Sequence, residues 1–205
     1  GVVSLGVTRN KRDVDVDPAS GDWVRLWVEP GFSRITEVGG LSTDTSILGS
    51  NLFLKGNVEV RKYWSPGQKP RFQDLDAPRR VIAARVRYGH INGKVPFFEQ
   101  YFAGGSETIR GYAEDRFWGK QTLVSTLEYR HPIQKSFNGV LFADYGSAWG
   151  GYGTVNSYTQ SDVLRMHLGY GVGLSFKTPM GPIRLDFGFD DRGKSRAHFL
   201  IGTSF

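Results

Sequence analysis

The residues of this chain best suited to bond-making chemistry are His90, His131, His167, His198, Ser195, Asp190 and Asp191. Ser195 and His198 lie close together near the C-terminal end. A hydroxyl nucleophile needs a base within hydrogen-bond reach and a third group to orient that base. No motif ties the pair to such a group. No cluster of histidine and carboxylate has the spacing of a metal site. The glycines of GYGVG, residues 169–173, fall inside an alternating segment, where a phosphate-cradling loop has no place. No catalytic residue, cofactor or metal is assigned, and the chain reads as a non-enzyme.

The elements that would carry these residues are strands. The 205 residues suffice for one ordinary domain. Cysteine is absent, mean hydropathy is -0.34, and no run approaches the length of a spanning helix. The start, GVVSLGVTRNK, lacks the basic region and apolar core of a signal peptide, so an exported protein beginning here is expected to be a mature or trimmed chain. Aromatics make up 14% and glycine has 27 copies, a mixture that favours an all-β protein.

Period-two alternation recurs along the chain. In residues 164–177, Met166, Leu168, Tyr170, Val172, Leu174 and Phe176 share one face, opposite Arg165, His167, three glycines, Ser175 and Lys177. Ile183, Leu185, Phe187 and Phe189 oppose Arg184, Asp186 and Gly188. Leu123, Leu127 and Tyr129 oppose Thr126, Glu128 and Arg130; Leu141, Ala143 and Tyr145 oppose Phe142, Asp144 and Gly146. Such strands are long enough to cross a bilayer, which takes about 9–11 tilted residues. Aromatics at Tyr63, Trp64, Tyr88 and Trp149 fall near strand ends. Apolar-out, polar-in strands with interfacial aromatics describe a transmembrane antiparallel β-barrel better than a soluble sandwich.

Proline-bearing turns (SPGQKP, HPIQ, TPMGP) alternate with longer polar connections, as expected for two unlike rims. Eight strands are expected from Trp23 to Phe205, forming a barrel over residues 22–205. A ninth candidate, Val2 to Thr8, is set aside because a single-chain barrel with both ends on one side has an even number. Residues 1–21 are therefore expected outside the regular wall. Eight strands enclose an interior just filled by side chains, so the inward Arg, Lys, Glu and Asp residues should pair with one another. That places much of the net charge of +6 inside and argues against a nucleic-acid partner.

The segment FAGGSETIRGY, Phe102 to Tyr112, resembles the loop motif of the BamA/TamA superfamily (bacterial surface antigen family) of outer-membrane assembly and translocation barrels. The TLEYR and FADYG segments, the TPMGPIRLDF hairpin, the terminal HFLIGTSF and the turn KRDVDVDPASG follow the family's pattern. The resemblance implies a loop folded into the lumen, with Arg110, Gly111 and Tyr112 at its tip and Arg110 meeting Glu128 and Asp144. It implies an insertion signal in the last strand at Phe199, Ile201 and Phe205, with Gly202 where that strand bends. It also implies an outer membrane of a diderm bacterium. The family pattern has sixteen strands behind periplasmic POTRA domains, and this chain corresponds to the C-terminal half of the barrel without them.

Two function classes follow. One is a minimal assembly or insertion barrel, or lipid-organising barrel, acting through a weak strand seam. The other is a structural or interaction barrel, or the C-terminal part of a larger assembly protein. The seam is expected between the strand near Trp23 to Phe32, carrying Pro30, and the strand His198 to Phe205, carrying Gly202; both residues weaken a ladder. Expected partners are outer-membrane lipid, nascent outer-membrane proteins and a second copy joined through the seam.

Overall fold

In a computed structural model of the chain, residues 1–37, 48–68, 77–153, 158, 163–178 and 181–202 are described. They form one antiparallel sheet of ten strands: β1 Leu5–Asn10, β2 Gly21–Ile35, β3 Gly49–Trp64, β4 Val81–Gly93, β5 Tyr101–Ala103, β6 Phe117–Gln134, β7 Phe137–Gly150, β8 His167–Phe176, β9 Ile183–Phe189 and β10 Ser195–Ile201. Nine follow one another in the order β1-β2-β3-β4-β6-β7-β8-β9-β10, and the short β5 pairs with the start of β6.

The alternation read from the sequence sets the two faces, and they are inverted relative to a water-soluble sheet. Along β8 and β9, Leu168, Tyr170, Val172, Leu174, Leu185 and Phe187 are exposed. Between them, Ser175, Arg184, Asp186 and the glycines Gly169, Gly173 and Gly188 are buried. On β6 and β7, Glu128 and Asp144 are completely buried while Leu127, Leu141 and Tyr145 face out. A sheet that hides charge and presents hydrocarbon is stable only in an apolar solvent, where strands satisfy the backbone by pairing. Among the described residues no helix is long and apolar enough to cross a membrane.

The connections fall on two rims, and the expected contrast in length holds only in part, since the β3–β4 connection lies on the same rim as the shortest turn. At one rim β6 and β7 are joined by Lys135 and Ser136 alone, with a ladder irregularity at Pro132, where a proline costs least. The β1–β2 connection, residues 11–20, belongs to the same rim. The β4–β6, β7–β8 and β9–β10 connections leave from the other rim, with residues 94–116 and 190–194 described throughout.

The strand count differs from expectation. β1, Leu5–Asn10, overlaps the segment set aside from Leu5 to Thr8 and pairs with Trp23 to Val28 of β2, so the path has nine strands and residues 1–21 are not wholly outside the wall. Leu5 and Val7 pair with Val28 and Leu26 and continue the exposed apolar face. The even-number rule constrains a closed barrel. Among the described residues no pairing joins β1 to β10.

The seam expected at the strand bearing Pro30 is not found there. β2 lies between β1 and β3, so the strand bearing Pro30 is not an edge. The Pro30 carbonyl accepts from Val3 N at 3.1 Å. In an antiparallel ladder the N and O of one residue face the same neighbour. The missing N–H of Pro30 therefore falls on the β1 side and leaves β2–β3, paired over fifteen residues, intact.

Candidate functional site

Residues 94–116 leave β4 and fold back over the polar face. The run opens with a 3-10 turn, Phe97–Glu99, and β5 adds three residues to the ladder of β6. Tyr101 reaches across to β3, donating its hydroxyl to Asn57 Oδ1 at 2.6 Å, and Gln100 and Tyr152 exchange hydrogen bonds at 3.0 Å. At the tip, Ile109 packs with Ala103, Tyr112, Val124 and Ala148. The guanidinium of Arg110 thereby enters the space enclosed by β6, β7 and β9.

Arg110 is 2% exposed. Its Nε and Nη2 donate to the two carboxylate oxygens of Asp144 at 2.7 and 2.9 Å, a bidentate fork, and its backbone N donates to Asp144 Oδ2 at 3.0 Å. Nη1 donates to Glu128 Oε1 at 2.7 Å and to Asp186 Oδ2 at 3.0 Å. The guanidinium lies 3.6 Å from the centre of the Phe142 ring, which closes its face with a cation–π contact. The expected meeting of Arg110 with Glu128 and Asp144 is therefore present, and Asp186 joins it.

The network continues in both directions. Arg184 donates to Glu128 and Asp186, and Arg130 Nε donates to Glu128 Oε2 at 3.0 Å. Arg110, Arg130 and Arg184 thus face Glu128, Asp144 and Asp186, three charges of each sign. Charges this far from water are tolerable only when paired and hydrogen-bonded. From Arg130 the chain of pairs reaches Asp17 Oδ1 at 3.2 Å, and Asp17 Oδ2 lies 3.0 Å from Lys177 Nζ. Asp17 sits in the β1–β2 turn with a φ of +51°. Behind it Pro18 and Ala19 are buried, Ala19 beside Tyr63, Val81 and Ala83. A turn at one rim and a loop from the other are therefore linked by one continuous series of opposite charges.

Gly111 follows the arginine with a φ of +95°, and a Cβ there would lie 2.6 Å from the Phe189 carbonyl. Its N–H donates to His198 Nε2 at 3.0 Å, which requires that ring nitrogen unprotonated. The loop can lie this close because the wall beneath it has no side chains. A Cβ on Gly169 would be 1.9 Å from the Arg110 carbonyl oxygen, and one on Gly188 would be 2.6 Å from Gly111 N. Tyr112 then accepts from Asp191 N at 3.1 Å. Burial raises the Tyr112 hydroxyl above its ordinary value, against the hydrogen bond from Asp191. Burial also acts to raise the Asp191 carboxyl, but hydrogen bonds from His167 and Tyr112 hold it below its ordinary value.

The other sequence candidates separate. Ser195 is exposed and pairs with Phe189 on the outward face, while His198 is buried on the inward face opposite Asp186. His167 Nδ1 lies 3.1 Å from Asp191 Oδ2, His131 Nδ1 lies 3.1 Å from the Tyr129 hydroxyl, and His90 is exposed on β4. Phe199 and Ile201 are exposed on the outward face of β10. Gly202 follows with a φ of +113° and donates to the Pro182 carbonyl at 2.7 Å, so the chain leaves the extended path there. Phe205 lies outside the described residues. Sequence reasoning did not single out Asp186, Arg184, Arg130, His198 and Asp17 as contacts of the Arg110 loop and its ion-pair network, nor the glycine seat. Arg184 and Asp186 share the inward phase of β9, and the glycines repeat every second residue on the inward face of β8; both signals were available.

A sheet with an exposed hydrocarbon face, a buried ion-pair interior and a loop bolted within it defines a strand-spanning protein of an outer membrane. The chain belongs to the Omp85 superfamily: the Omp85 superfamily domain matches residues 2–205. It is 35% identical over 117 residues to the chloroplast outer envelope protein 80 of Arabidopsis thaliana, covering 56% of this chain and 16% of that one. It is 28% identical over 228 residues to the outer membrane protein assembly factor BamA of Nitratidesulfovibrio vulgaris, covering all of this chain and 25% of that one. Its fold matches a crystal structure of BamA from Haemophilus ducreyi lacking POTRA domains 1-3, with a TM-score of 0.68 at 15% identity, covering 98% of this chain and 40% of that one. The chain thus spans well under half the length of these relatives.

Proposed function

We propose that this chain forms the loop-locked part of an outer-membrane assembly or insertion barrel, and that its activity lies at the two edges of the sheet rather than at the lock. The observation that carries this reading is the contrast between interior and edges. β6, β7 and β9 are joined to one another and to the loop by the buried ion pairs. β1 is exposed along its whole length and pairs over six residues, and β10 pairs over seven. Both edges present an apolar outward face, Leu5 and Val7 at one and Phe199 and Ile201 at the other. Nine antiparallel strands in series leave β1 and β10 running in the same direction. A single strand running opposite to both can therefore extend the sheet from either edge by main-chain pairing.

Unpaired edges in hydrocarbon cost several kcal/mol per unsatisfied group, so the edges must find partners. The candidates are a nascent outer-membrane strand, a second copy, or closure of the sheet into a barrel by other strands. The kinship with a protein named as an outer membrane protein assembly factor favours the first. Outer-membrane lipid faces the rest of the wall. A structural barrel without transport activity is the competing reading.

The test is photo-cross-linking during insertion of another outer-membrane protein, with a photoreactive residue at Val7, at Phe199 or, as a control, at outward-facing Tyr145 of β7. Adducts with the incoming protein from Val7 or Phe199 and none from Tyr145 support the proposal. Adducts from none of the three, or equally from all, favour the structural barrel.

A further inference from the structure

Beyond the lock, a cavity of about 270 Å³ opens at the rim of the long connections, above the loop tip. Arg116, Arg192, Lys194 and Arg196 line it, against only two carboxylates, Asp190 and Asp191. Both carboxylates are engaged. Asp190 Oδ1 accepts from Arg192 N and Lys194 N at 2.9 and 2.8 Å, closing the β9–β10 turn, and Asp191 is held by His167. Among the described residues none of the four cations forms an ion pair. This departs from the lumen below, where Arg110, Arg130 and Arg184 all meet carboxylates.

Arg116 is also set in place. Its guanidinium lies 4.1 Å from the Tyr158 ring centre and 5.1 Å from that of Phe117. Stacking of this kind holds the planar fork while leaving its N–H groups free to donate. Aromatic packing of Phe117 on His167, 4.1 Å apart, fixes that ring in turn.

We propose that this cavity is a binding site for a phosphate ester. Four cations around one cavity against two carboxylates that are already hydrogen-bonded, one of the four a stacked arginine, suit the charge of phosphate oxygens, which arginine binds by a bidentate fork. The ester can belong to a membrane lipid headgroup or to a soluble molecule. Its place on edge strand β10, whose apolar outward face begins at Ala197, sets it within reach of headgroups at the membrane surface.

The full chain in neutral-detergent micelles is titrated with glycerol 3-phosphate, and in a second arm is placed in nanodiscs containing phosphatidylglycerol or only phosphatidylcholine. Phosphorus NMR line broadening reads both arms. Saturable binding is expected, weakened about fivefold by Arg196→Gln or Arg116→Gln and unchanged by Lys135→Gln at the opposite rim. Binding of glycerol 3-phosphate without preference for phosphatidylglycerol identifies a soluble ester; preference in the nanodiscs identifies a lipid headgroup. Absence of saturable binding in both arms overturns the site. So does equal weakening by Lys135→Gln, which would reduce the effect to net charge.

Discussion

Gly169 of β8 lies so close beneath Arg110 that a Cβ on it would sit 1.9 Å from the arginine's carbonyl oxygen. The wall and the loop are therefore fitted backbone to backbone, and the ion pairs beyond them depend on that fit. Gly169→Ala must lift the loop tip or bend the strand. The expected destabilisation is about 1–3 kcal/mol, the usual cost of overpacking. It is read as a lower temperature at which the folded chain loses its compact mobility in a detergent gel. An alanine variant as heat-resistant as the parent would show that the loop has room to spare.

Arg110 itself is the larger test. Arg110→Ala removes the fork on buried Asp144, while Glu128 and Asp186 keep Arg184, and Glu128 keeps Arg130. Breaking a buried pair from one side costs about 3–5 kcal/mol. Arg110→Lys keeps the charge but cannot hold both oxygens of Asp144 while reaching Glu128, so it should recover only part of the loss. The same gel assay orders the three proteins. Equal heat resistance of parent and Arg110→Ala would place the loop outside the stability of the barrel.

Asp17 carries a smaller share. It joins Arg130 and Lys177, and it lies nearer water than the carboxylates around Arg110. Asp17→Asn removes both attractions and should cost about 1 kcal/mol. The effect should shrink in high salt, because Lys177 is partly exposed. Protease cleavage within residues 11–20 should rise in the variant; unchanged cleavage would mean that burial of Pro18 and Ala19 alone holds the turn.

The β9–β10 turn gives a pH dependence. Asp191 has a folded-state value below its unfolded one, so its contribution is complete above about 3.9, the ordinary aspartate value. It fades as pH falls through the lower folded value. His167, Tyr112, Asp190 and Arg192 are the groups around it. Carboxyl carbon NMR of Asp191 should show a midpoint below the ordinary aspartate value of about 3.9. His167→Ala should move the midpoint upward; an unmoved midpoint would remove His167 as its anchor.

Much of this was legible in the residues. Strict alternation from Leu168 to Phe176 gave β8 and its outward face, and Glu128 and Asp144 shared the inward phase before any geometry was known. The motif around Arg110 carried the loop into the interior. Two things were not legible. Leu5 and Val7 make a strand only because β2 offers a ladder in matching phase, and a parity rule for closed barrels excluded them. The glycine seat was hidden because a glycine in a strand reads as an absence of packing, whereas Gly169 and Gly188 are where another backbone packs. The exchange of partners among Arg110, Arg184 and Arg130 depends on which strands lie side by side, and no spacing along the chain expresses it.

The proposed function requires a rigid, ion-paired interior bordered by weak edges. Hydrogen exchange of the folded chain in a bilayer mimic measures this strand by strand. Amides of β6 and β7 should exchange slowest, and those of β1 and β10 fastest among the strands, with Arg110→Ala speeding β6, β7 and β9 but leaving β1 unchanged. Protection of β1 equal to that of β6 in the parent protein would contradict the account.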